Sequence, residues 1–154
     1  LKRIFCALLA MLLLTGAALG ESLTSFEDYA AALDAPADAE WTADGDMRTL
    51  ELADEATVSV CLEDENVMAV TVEAPKGSIM DAGSAALKAL GAMTDEEIAE
   101  LLAMTEAGSA EVDACAFWRM LGKKREGIAV CAAEEASPFC AVCAAICAAR
   151  SGSV

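Results

Sequence analysis

The chain has 154 residues and carries 26 Asp and Glu against 10 Lys and Arg, a formal net charge of −16, with no His at all. A field of that sign repels phosphate backbones and anionic membrane surfaces, which argues against nucleic acid as a partner and favours cations and basic proteins. Without His there is no Ser-His-Asp or Cys-His nucleophile and no imidazole-built zinc site, so only carboxylates, Lys, Tyr and Cys remain for acid–base work.

In chain order, Lys2-Arg3 precedes an unbroken apolar run over residues 4–14 and the small-residue ending Ala18-Leu19-Gly20. That is the order of a secretory signal peptide, residues 1–20, with the mature chain beginning at Glu21. The run is too short for a bilayer, which takes roughly 20 residues, so no membrane anchor is expected after cleavage. No cysteine follows the cleavage point, as a lipoprotein would require. The chain opens on Leu1 rather than Met, consistent with a fragment or an unusual start codon. Loss of Lys2 and Arg3 takes the net charge from −16 to −18. The expected location is secreted or extracytoplasmic.

The mature chain then divides into a single domain, 21–136, and an Ala/Cys-rich tail, 137–154. Phe26, Tyr29, Ala30 and Leu33 make one apolar stripe and predict a first helix over 26–33, capped by Thr24 or Ser25. Pro36 marks the stretch after it as loop. Three strands follow over 47–52, 57–62 and 67–73, the second with Val58, Val60 and Leu62 on one face and Thr57, Ser59 and Cys61 on the other. Their acidic links suit hairpin turns. Pro75-Lys76-Gly77 ends the run. A second helix starts at Ser78 and stops at Gly91. Thr94-Asp95-Glu96-Glu97 is a capping box for a third helix, which runs to about Met104 before Gly108, and the two form an αα-hairpin. Two further strands are read over 112–121 and 127–133. The fold class is α+β: a two-layer domain, an antiparallel sheet of about five strands with helices packed on one face.

That element order, over most of residues 22–134, resembles small exported bacterial domains of unassigned role. It is also similar to two-layer inhibitor and assembly-factor domains of the kind that includes the beta-lactamase inhibitory proteins. No diagnostic motif accompanies it, so the resemblance implies an architecture and assigns no functional residue.

Six cysteines follow the leader: Cys61, Cys115, Cys131, Cys140, Cys143 and Cys147. The last three, C-x2-C-x3-C, fall on one helical stripe and are candidates for a soft metal or an iron–sulfur cluster, although no fourth ligand presents itself. Structural disulfides are a second reading, since six is even and the chain is exported. Plain small apolar packing is a third. Lys123, Lys124 and Arg125 are three of eight cations left after cleavage and sit at one turn, as a docking point or as a solvated hairpin tip. Asp44-Gly45-Asp46 and Glu63-Asp64-Glu65-Asn66 lack calcium-loop spacing and read as turns.

No cofactor is expected. The function the sequence favours is a non-enzymatic protein–protein interaction module meeting another extracytoplasmic protein, with Trp41, Trp118, Lys123, Lys124 and Arg125 as interface candidates, because aromatics and Arg dominate hot spots. A carboxylate-based hydrolase and a Cys-dependent metal or redox protein are the alternatives.

Overall fold

The computed structural model describes residues 23–104, 106, 108–112 and 115–132. The expected signal peptide 1–20 and the tail 137–154, with Cys140, Cys143 and Cys147, lie outside the described residues. In order, the elements are β1 (Thr24–Ser25), α1 (Phe26–Ala32), β2 (Thr42–Asp44), β3 (Met47–Glu51), a short 3-10 turn (Ala53–Glu55), β4 (Thr57–Glu63), β5 (Asn66–Pro75), α2 (Ile79–Leu90), α3 (Asp95–Leu102), β6 (Gly108–Val112), β7 (Cys115–Leu121) and β8 (Arg125–Ala132). All strand pairs are antiparallel, in the order β2-β3-β4-β5-β8-β7-β6, with β1 paired to the start of β5.

The fold is α+β, as the element pattern implies, but the sheet has more strands than the five expected. β1 and β2 are extra, and the expected strand over 112–121 is two strands, β6 and β7, that turn back between Val112 and Cys115. Gly108 opens β6 instead of ending the third helix.

Local chemistry sets the helices. Ser25 Oγ accepts from the Asp28 amide at the start of α1. Thr94 and Glu97 close both halves of the capping box on α3. Gly91 takes the left-handed conformation that ends α2, where a β-carbon would be strained. Ser78 stands at the N-cap of α2 without a side-chain cap bond. The acceptor comes instead from β8: Glu126 Oε1 takes the amides of Gly77 (3.2 Å) and Ile79 (3.1 Å), and its Oε2 pairs with Arg119 at 3.1 Å.

The helices share one face of the sheet. Tyr29, Leu87, Ile98 and Leu102 from the helices meet Leu50, Val58, Val60, Val70, Val72, Phe117, Ile128 and Val130 from the strands in one core. The alternation that puts these strand residues inward puts their neighbours on the opposite, outer face. There the register forms two clear rows. Thr42, Thr49, Ser59, Thr71, Ala129 and Trp118 run across the sheet, and beside them Asp44, Met47, Cys61, Ala69, Cys131 and Ala116. The outer face is thus hydroxyl-rich at its β2–β4 end and small and apolar at its β5–β8–β7 end.

Candidate functional site

The hydroxyl-rich end is concave. A cavity of about 700 Å³ lies over β2, β3 and β4, floored by Thr42, Thr49, Thr57 and Ser59 and walled by the loop around Asp38 and Glu40, by Asp44 and by Glu51. Period-two alternation puts Thr49, Glu51, Thr57 and Ser59 on one face, and the register β2-β3-β4 lines them up. Met47, Leu52 and Pro36 give the cavity an apolar margin, and among the described residues no Lys or Arg lines it. Asp38, Glu40, Asp44 and Glu51 are all exposed, while Thr49, Thr57 and Ser59 are half-buried. The site therefore offers hydroxyls at its floor and the exposed carboxylates of Asp38, Glu40 and Glu51 at its rim.

The 3-10 turn at the rim departs from relaxed backbone. Asp54 and Glu55 hold φ of 58° and 59°, next to the lining residue Ala53. Two successive non-glycine residues in the left-handed region cost on the order of 1–3 kcal/mol each. Leu52 N–H donates to Ala56 O across the turn, and Arg125 donates to Glu55 O at 3.1 Å, which ties the rim to β8.

The interface candidates read from the sequence are not brought together. Trp41 packs on the helix side, its ring edge-on to Phe26 at 5.1 Å and to Tyr29 at 6.4 Å. Trp118 lies on the outer face with Met120 and Ala129. Lys123 and Lys124 are exposed at the β7–β8 turn, whereas Arg125 is half-buried in an ion pair with Glu73 (3.3 Å). Asp44-Gly45-Asp46 and Glu63-Asp64-Glu65-Asn66 form the β2–β3 and β4–β5 hairpin turns.

Among the described residues, no group of three Cys, Asp or Glu converges as metal ligands would. The cavity residues escape sequence reasoning because strand register and the fold of the 36–40 loop, not local spacing, bring Asp38 and Glu40 over Thr49, Glu51, Thr57 and Ser59. The Thr57/Ser59 alternation marks the outer face of β4 but not its neighbours across the strands. The chain matches no family model, no curated protein and no solved structure.

Proposed function

We propose that this chain is a non-enzymatic interaction module working outside the cytosol, and that it receives a basic segment of a partner protein in the cavity over β2, β3 and β4. One observation carries the reading: a cavity large enough for several side chains, edged by the exposed carboxylates of Asp38, Glu40 and Glu51 with no Lys or Arg among its described lining residues, in a chain of net charge −16. Exposed carboxylates spread along a rim steer and orient Lys and Arg side chains, and the Thr and Ser floor supplies further acceptors for their N–H groups. The strained Asp54-Glu55 turn supports the same location, since strained backbone clusters at binding sites.

The test is binding of a lysine- and arginine-rich peptide, followed by calorimetry at increasing salt. The double substitution Glu40→Lys with Glu51→Lys is expected to weaken binding about tenfold or more, near 1.4 kcal/mol per decade, and added salt is expected to weaken the unmodified protein likewise. Equal affinity of the two proteins for the peptide would overturn the site. A pull-down of the exported protein that recovers no basic partner would overturn the role.

A further inference from the structure

Among the described residues no strand lies beyond β2, and all three of its residues are exposed. One bond fixes the direction of its backbone groups. Leu62 N–H donates to Asp46 O at 2.8 Å, which makes these two a hydrogen-bonded pair in line with the β3–β4 register. Such pairs alternate along an antiparallel ladder, so Arg48 and Leu50 also bond towards β4, and Met47 and Thr49 bond towards β2. Their partners there are Asp44 and Thr42. Ala43, between the two, therefore turns its N–H and C=O away from β3, to the open edge of the sheet.

The side chains of β2 alternate as well. Thr42 and Asp44 line the cavity on the outer face. Ala43 points to the helix side, opposite Arg48, whose guanidinium lies over the Phe26 ring at 6.0 Å. An edge of this kind accepts a further strand through main-chain bonds, with side-chain preferences that repeat every second residue. A strand added antiparallel sets one residue against Ala43 and exchanges both N–H···O bonds with it. Its two neighbours then point over the cavity, towards the exposed carboxylates of Glu40 and Glu51. The residue against Ala43 shares the helix side with Arg48, where a second cation is disfavoured.

Given a cavity that receives a basic segment, as proposed above, we infer that this segment binds as an extended strand, antiparallel along the edge of β2, with Lys or Arg at alternate positions and uncharged residues between them. Charge complementarity sets the pattern: carboxylates and hydroxyls lie on the outer side of the edge, and Arg48 on the inner side. Alternate side chains of a strand stand about 7 Å apart. Thr42 and Asp44 have the same spacing, so each cation enters over one of the two cross-strand rows that begin there. The single residue pair at Ala43 sets register and direction, and the carboxylates supply the attraction.

The experiment uses the full-length chain, labelled with nitrogen-15, and two peptides of equal composition. One has Lys and Val in strict alternation; the other has them in separate blocks. The alternating peptide is expected to bind about tenfold tighter than the blocked one, and to slow exchange of the Ala43 amide proton about tenfold or more. Methylating its Val backbone nitrogens, which face β2, should abolish that advantage. Methylating its Lys backbone nitrogens, which point away, should leave it, and a loss on methylating Lys alone would overturn the antiparallel pairing. Equal binding of the two peptides without protection of Ala43, while Glu40→Lys with Glu51→Lys still weakens both, would overturn the added strand and leave the cavity reading standing. Binding of neither peptide would overturn both.

Discussion

Glu126 joins three parts of the chain through one carboxylate. It closes the N-terminus of α2, where unsatisfied amides and the helix dipole favour a negative charge. Its other oxygen holds Arg119, whose side chain is 3% exposed and which also donates to the carbonyls of Met120 and Gly127. Among the described residues, Arg119 Nε is a buried donor without an acceptor, so the pair has little tolerance for further loss. Glu126→Ala strands a buried guanidinium and is expected to cost about 3–5 kcal/mol, read as a lower urea midpoint. Tyr29 is the second residue whose burial has a measurable signature. Its hydroxyl donates to Ala86 O at 3.0 Å, and desolvation raises its pKa above the ordinary tyrosine value near 10. The native state therefore keeps this proton where the unfolded chain releases it. The stability contributed by the neutral phenol is complete below pH 10 and falls as pH rises above that, by about 1.4 kcal/mol per pH unit. Tyr29→Phe is expected to cost about 1 kcal/mol at neutral pH and to shed that extra alkaline loss. Urea titrations of both proteins between pH 8 and 11 compare the slopes.

At the scale of elements, the β4–β5 hairpin turns through Asp64 and Glu65, with φ of 49° and 63°. A two-residue loop with both φ values positive is the I′ geometry, in which glycine and asparagine sit without strain. Glu65→Gly is expected to raise stability by about 1 kcal/mol, the order of the left-handed penalty for a residue with a β-carbon. The substitution also removes the ion pair of Glu65 with Arg48, but at 3.9 Å on the surface that pair contributes little. Thermal unfolding with unchanged circular dichroism checks it. The three strands read over 47–73 lie close to where β3, β4 and β5 stand, because alternation and short acidic links are local signals. The helices are equally legible through Ser25, Gly91 and the Thr94 box. β2 has three exposed residues, too few for a pattern. β6 and β7 read as one strand because no Gly, Pro or Asn marks their turn. The Glu126 cap has no sequence signal, its amides lying 47 and 49 residues away.

For the whole molecule, the α+β class and the helix-covered face follow from the sequence, since each rests on periodicity within one element. The cavity does not, because its floor is made by register between strands and its wall by a loop folded over them. The strand order carries one more consequence. β8 is the last described strand in the chain, yet it stands between β5 and β7. Until it arrives, β5 has an open edge, the β6–β7 hairpin has nothing to join and α2 lacks its cap. A nascent chain halted short of residue 125 lacks Ile128 and Val130 from its core and keeps an adhesive strand edge. Any machinery that threads this chain through a narrow opening can therefore do so without unfolding a finished domain, provided that it begins before the final hairpin is made.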